Sequence, residues 1–146
     1  NKALGEKTGK ATLYKNHDNY GNYSLNQNFI QSNQYEEETV EIENINEFFH
    51  KLIKDYNFKI IVKSDTEGFD YKLLSLIDDK ILEKIEIYYF EINNRVSISD
   101  LDFIYNKLID FDIYDENLKI INDTFDNFRN EIIKYKNNTD VIIIKK

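Results

Sequence analysis

The chain has no cysteine, methionine, proline or tryptophan, and only four glycines in 146 residues. Without cysteine there can be no disulfide framework and no thiolate metal site, and a reduced, cytoplasmic setting is compatible with the sequence. Two histidines, His17 and His50, argue against a zinc centre and against a Ser/His/Asp triad. No apolar run approaches the roughly 20 residues that cross a bilayer, and no charged start leads into an apolar stretch. A soluble chain is therefore expected, with no membrane segment and no signal peptide. The missing methionine, together with asparagine at position 1, leads us to expect further natural sequence upstream.

What is present is the composition of a packed domain. Hydrophobic residues make up 41%, aromatics 14% and charged residues 32%, enough apolar material for a core. The length suits one domain. Nineteen basic residues against 27 acidic ones give a net charge of −8, spread along the chain, so a nucleic-acid partner is not expected. The chain is rich in Asn, Ile and Lys, which we attribute to codon drift, and the Asn-x-Ser/Thr triplets at Asn22, Asn122 and Asn137 are read as chance.

No internal repeat and no Gly/Ser linker divides the chain. Residues 1 to 38 are polar, with short strands expected at Ala11–Tyr14 and Tyr23–Leu25 and a loop from Asn26 to Glu38. Thr39–Ile42 follows as a short strand. Asn44, with Glu47 three places on, has the spacing of a capping box. Ile45, Phe48, Phe49, Leu52, Ile53 and Tyr56 then fall on one helical face. Lys59–Lys63, KIIVK, reads as a central strand covered on both faces. Helices are expected over Phe69–Ile77, with Leu73, Leu74 and Ile77 inward, and over Asp79–Lys84, before a strand at Ile85–Ile92. A helix capped by Ser97 or Ser99 runs through Leu101, Ile104, Tyr105, Leu108 and Ile109. Strands at Phe111–Tyr114 and Leu118–Ile121, a helix over Phe125–Tyr135 and a buried last strand at Val141–Ile144 complete the order. Such alternation predicts an α/β domain with a mostly parallel sheet and helices on both faces.

In open sheets of that kind ligands collect beyond the carboxyl ends of the strands, which directs attention to the residues after Lys63 and Tyr89. If those two strands are neighbours, Asp65, Glu67 and Glu91 crowd three carboxylates over one rim. That arrangement suits accepting a proton from a substrate hydroxyl, or holding Mg²⁺ or Ca²⁺. Equally, Asp65 can be a helix cap and Glu91 a solvated strand end, since 27 acids must lie somewhere. Asp100-Leu101-Asp102 has the form of a metal-binding Asp-x-Asp, but acids in a helix's first turn also complement its dipole. Tyr14, Tyr20, Tyr23 and Tyr35 could stack on a sugar or simply pack. Tyr88, Tyr89 and Phe90 read as core, and both histidines as surface residues.

The run IIVKSDTEGFDYKLLSLI resembles the hallmark of the FkbM family of S-adenosylmethionine-dependent methyltransferases, a strand ending in Lys-x-Asp-x-Glu-Gly-x-Glu before a Leu-rich helix. Lys63, Asp65, Glu67 and Gly68 fall in register, while Asp70 stands where the family has Glu and Ser64 where it has an apolar residue. NKALGEKTGKATLY, NYGNYSL, VEIENINEFF and IYYFEIN resemble further family segments, the last placing Glu91 on a matched position.

The resemblance implies a Rossmann-like methyltransferase sheet and O-methylation of a saccharide or natural-product hydroxyl, with S-adenosylmethionine as cofactor. It implies catalytic roles for Asp65, Glu67 and Glu91, and contact of Asn1 and Ala3 with the cofactor's edge. No metal is implied. The family's opening strand with its Gly-rich turn, and the second strand with its ribose-binding acid, have no counterpart here, so the chain is expected to be a partial domain lacking two central strands. Tight cofactor binding by the chain alone is not expected, and an apolar sheet edge should make it marginal or prone to aggregate. A non-catalytic α/β binding module and a metal-dependent sugar-nucleotide transferase are the alternatives.

Overall fold

Asn44 ends a ten-residue strand and caps the helix that follows it, and these two elements organise the first part of the chain. The computed structural model describes residues 2–19, 21–30, 34–55, 59–66, 68–93, 96–134 and 138–146. They form two compact units, residues 1–57 with 66–81, and residues 58–65 with 82–146.

The first unit contains β1 (Lys2–Gly5), β2 (Gly9–Asn16), β3 (Tyr23–Ser24), β4 (Tyr35–Asn44), α1 (Ile45–Asp55) and α2 (Asp70–Leu76), with a short 3-10 turn at Gln27–Phe29. Its sheet has the order β1-β4-β2-β3; β1 is parallel to β4, whereas β2 is antiparallel to both β4 and β3. Gly5 allows β1 and β4 to approach, because a Cβ there would lie 2.9 Å from Ile42 Cγ2. The loop expected up to Glu38 is instead strand from Tyr35. Glu36–Glu38 shows no apolar alternation, but β2 provides the partners: Lys15 lies opposite Glu36 and ion-pairs with Glu38.

Helix α1 begins where Asn44 Oδ1 accepts the Glu47 amide at 2.9 Å, as the capping pattern predicts. Ile45 and Phe49 of its apolar stripe are buried, Phe48, Leu52 and Ile53 are half-buried, and Tyr56 lies outside the described residues. The Asn46 amide donates to Leu76 O and accepts from Asp78 N, both at 2.9 Å, tying α1 to the end of α2. Leu73, Leu74 and Ile77 are buried as expected.

The chain passes through α3 (Asp79–Leu82) into the second unit, which has β5 (Ile60–Lys63), β6 (Ile85–Asn93), α4 (Ile98–Lys107), β7 (Phe111–Tyr114), α5 (Phe125–Lys134) and β8 (Asn138–Lys145). The strand order is β5-β6-β8-β7, with β5 parallel to β6 and β8 antiparallel to both neighbours. One face buries Tyr88, Phe90, Ile92, Val141, Ile143, Phe111 and Ile113 with Leu101, Ile104 and Leu108 from α4 and its end, and Phe128 and Ile132 from α5. The alternate residues Tyr89, Glu91, Asp140 and Ile142 are only half-buried, so the other face is open to solvent.

The expected mostly parallel sheet with helices on both faces is therefore overturned. Among the described residues there are two mixed sheets, in which only β1–β4 and β5–β6 are parallel. Apolar periodicity reports which residues face the core, not the direction in which a strand is entered, and β8 returns between β6 and β7 in reverse. KIIVK is an edge strand, not a central one, and Ile61 is 72% exposed. Leu118–Ile121 is no strand either: Asp115 Oδ1 accepts the amides of Asn117 and Lys119, each at 2.9 Å, Leu118 takes a positive φ of 60°, and Ile120 makes only an isolated bridge to Tyr114. Ile109 is exposed because α4 stops at Lys107. Ser97, not Ser99, caps that helix, accepting the Asp100 amide at 3.1 Å. Among the described residues no helix is long and apolar enough to cross a membrane.

Candidate functional site

Two parallel neighbours create the site in the second unit. Lys63 of β5 lies opposite Tyr89 of β6, and the Ser64 amide donates to Tyr89 O at 2.9 Å, so residues 64 and 65 leave β5 alongside the carboxyl end of β6. Glu91 on β6 lies opposite Asp140 on β8. Because β8 runs in reverse, its beginning shares this rim with the ends of β5 and β6. Asp65, Tyr89, Glu91 and Asp140 thus gather at one edge of one sheet, on strands that are consecutive in its order.

Hydrogen bonding and charge make this a coupled group. The Tyr89 phenol donates to the Asp140 carboxylate; this bond, burial, and the negative charges of Asp140, Asp65 and Glu91 push its pKa up from 10.0 to about 12. It is a neutral donor over the whole physiological range. Lys63 completes the set, its Nζ 3.6 Å from Asp65 Oδ2 and 5.7 Å from the centre of the Tyr89 ring. Both Lys63 and Asp65 remain largely exposed, so their pairing contributes little to stability.

The structure therefore brings together Asp65 and Glu91 of the sequence-predicted residues. Glu67 and Asn1 lie outside the described residues, and Ala3 sits in β1 opposite Ile42, in the first unit's sheet. Asp140 was not singled out in the sequence, and Tyr89 was assigned to the core. A usable signal existed: in a strand with period two, Tyr88, Tyr89 and Phe90 cannot all face one side.

Just beyond the rim residues, Asp70 shapes the turn into α2. It is fully buried; its Oδ2 accepts the Thr66 amide at 3.2 Å, and Gly68 between them adopts a φ of 92° that favours glycine. Among the described residues, its Oδ1 and the Thr66 hydroxyl have no hydrogen-bond partner. Asp100 accepts from the Ser97 hydroxyl at 2.7 Å in the first turn of α4, which gives the Asp-x-Asp pattern a capping role. Tyr14 and Tyr35 pack edge to face, with ring centres 5.6 Å apart. His17 is exposed, and His50 reaches Asp78 Oδ2 at 2.8 Å. Burial raises the Asp78 carboxyl, but the Ile81 amide and the His50 side chain outweigh it and hold the group below the usual range. A groove of about 390 Å³ in the first unit is lined by Lys2, Glu43 and Lys51 among others; Glu43 lies 3.5 Å from Lys2 and 2.6 Å from Lys51, so its charges are already matched.

S-adenosylmethionine needs a close backbone approach at a Gly-rich strand-to-helix turn. Gly5 and Gly9 flank a strand-to-strand turn and Gly21 precedes β3, while Gly68 alone stands between a strand and a helix. The described residues do not fit that cofactor. Nor do they contain a group of three or more His, Asp or Glu side chains placed to hold a metal ion. Comparison with protein-family models, with curated proteins and with solved structures returned no match.

Proposed function

We propose that this chain provides the acceptor side of an FkbM-type methyltransferase acting on a saccharide or natural-product hydroxyl, in a reduced, cytoplasmic setting. One observation carries the proposal: β5 and β6 are adjacent and parallel, so Asp65 and Glu91 leave the same rim beside Tyr89. That rim is the shared carboxyl end of the parallel pair β5–β6 in the second unit's mixed sheet. The match of Lys63, Asp65 and Gly68 to the family block supports the same location.

The chemistry assigned to these side chains is local. Asp65, exposed and acceptor-only when ionised, takes the proton of an acceptor hydroxyl. Tyr89, kept neutral by Asp140, donates a hydrogen bond or offers its ring as a floor, and Glu91 accepts from a second hydroxyl. Holding the acceptor oxygen next to its base is the contribution of this rim. Since the described residues do not fit S-adenosylmethionine, the cofactor site belongs to residues other than these.

The test is methyl transfer from labelled S-adenosylmethionine to a panel of hydroxylated saccharides by the product of the complete native gene. Asp65→Asn is expected to lower turnover by about 10²- to 10⁴-fold with unchanged thermal unfolding. Full turnover in that variant, or binding of a UDP-sugar with Mn²⁺ in place of S-adenosylmethionine, would overturn the assignment.

A further inference from the structure

Asp70 and Asp115 are both buried, and the chain treats them differently. Asp115 Oδ1 accepts the amides of Asn117 and Lys119, each at 2.9 Å. Asp70 is 0% exposed, yet among the described residues its Oδ2 accepts only the Thr66 amide, at 3.2 Å, and its Oδ1 accepts nothing. The same Thr66 carries a buried hydroxyl oxygen that is likewise without a hydrogen-bond partner among the described residues. A buried carboxylate oxygen requires a donor, a proton or a cation, because water no longer solvates it.

A proton does not answer this arrangement. Oδ1 and the Thr66 hydroxyl are not hydrogen-bonded to each other, so a proton on Oδ1 would itself lack an acceptor there. A metal ion bridges two oxygens that share no proton, and oxygen ligands suit hard ions. Charge selects among such ions. Ca²⁺ and Mg²⁺ draw on several carboxylates or retained waters, and the described residues contain no group of three or more His, Asp or Glu side chains placed around a metal. One carboxylate is neutralised by one positive charge, whereas a divalent ion would leave a net charge buried.

We infer that Asp70 Oδ1 and the Thr66 hydroxyl oxygen bind a monovalent metal ion, sodium or potassium, at the turn into α2. The ion uses the carboxylate and the hydroxyl, not the amides of the helix. It involves none of Tyr89, Glu91 and Asp140, so the site stands apart from the acceptor assignment.

The ¹⁵N-labelled chain is compared in tetramethylammonium chloride, whose cation is too large for short oxygen contacts, and in sodium or potassium chloride at equal ionic strength. One of the two metal ions is expected to raise the thermal midpoint by about 3 °C or more and to shift the Thr66, Gly68 and Asp70 amides saturably. Asp70→Asn keeps the shape, removes the charge and should abolish both effects. Thr66→Val removes only the hydroxyl and should weaken the ion several-fold; the wild-type titration stands whether or not either variant folds. An unchanged midpoint and unchanged amides in all three salts would overturn the inference and assign the carboxylate to a proton or to water. A response to magnesium or calcium chloride alone would overturn the monovalent site. Equal shifts at Glu36, Glu37 and Glu38 would mean general screening of an acidic protein, and would overturn it too.

Discussion

Tyr89 and Asp78 show how single side chains tie this structure to pH, in opposite directions. Tyr89 has its pKa raised from 10.0 to about 12 by the Asp140 bond, burial and neighbouring acids. A raised value in the folded state means that the neutral form is favoured there. The stabilisation is complete below pH 10 and is lost as pH rises through about 12. The near-ultraviolet absorbance of tyrosinate, taken as wild type minus Tyr89→Phe, should show this late ionisation, and Asp140→Asn should move it back towards 10.0. No movement in that variant would dissolve the Tyr89–Asp140 pair. Asp78 behaves as the acid counterpart. Its carboxyl is held low by the Ile81 amide, 2.9 Å from Oδ1, and by His50, so its contribution is complete above the ordinary carboxylate value and fades as pH falls through its lowered one. Asp78→Ala removes the cap of α3 and should cost roughly 1 kcal/mol in urea unfolding at neutral pH. The deficit should shrink at more acid pH, where the wild-type carboxyl is protonated too; a deficit independent of pH would refute the cap.

At the scale of elements, β5 and α2 make a contrast that stability measurements can read. Ile61 is 72% exposed on an edge strand, whereas Leu74 is 0% exposed. Ile61→Lys is therefore expected to change stability by less than about 0.5 kcal/mol and to reduce self-association seen by light scattering, because a charged edge resists strand pairing. Leu74→Ala should cost about 2 to 5 kcal/mol. If Ile61→Lys proved as damaging as Leu74→Ala, β5 would not be an open edge. The same elements show what the sequence discloses. Helices α1 and α2 were legible because Asn44, Leu73, Leu74 and Ile77 act locally, through caps and one-sided burial. The place of KIIVK was not, since an edge strand of branched residues reads like a central one until its neighbours are known. The start of β4 was hidden because Glu36–Glu38 is acceptable in a strand only when Lys15 lies across from it. For the site, Asp65 and Glu91 were legible from the strand ends, but Asp140 could not be, because it arrives through the reversed entry of β8.

For the whole molecule, the decisive fact is the unequal division of apolar burial between two units that share one interleaved chain. The second unit buries most of the large side chains, Tyr88, Phe90, Phe128, Ile104, Leu108 and Ile113 among them. The first unit's four-stranded sheet buries little: in β1, β2 and β3 the buried positions are Gly5, Asn16 and Ser24, and Tyr35–Asn44 has exposed and half-buried side chains and no buried one. Backbone hydrogen bonds hold β2 on β4 over eight register pairs from Gly9↔Ile42 to Asn16↔Tyr35, but with little apolar area behind them they open at lower cost than those of β6 and β8. Amide exchange should follow this difference. The Tyr88, Phe90, Val141 and Ile143 amides are expected to exchange slowest, at rates that track global unfolding in urea. The β2–β4 amides are expected to exchange at least tenfold faster, through openings that urea hardly affects. Because the rim proposed as an acceptor site lies on the second unit, occupation by a ligand there should slow β6 and β8 further and leave β2 and β4 unchanged. The reverse order, with β2 and β4 the most protected, would show that hydrogen-bonded length and not apolar burial sets local stability in this protein.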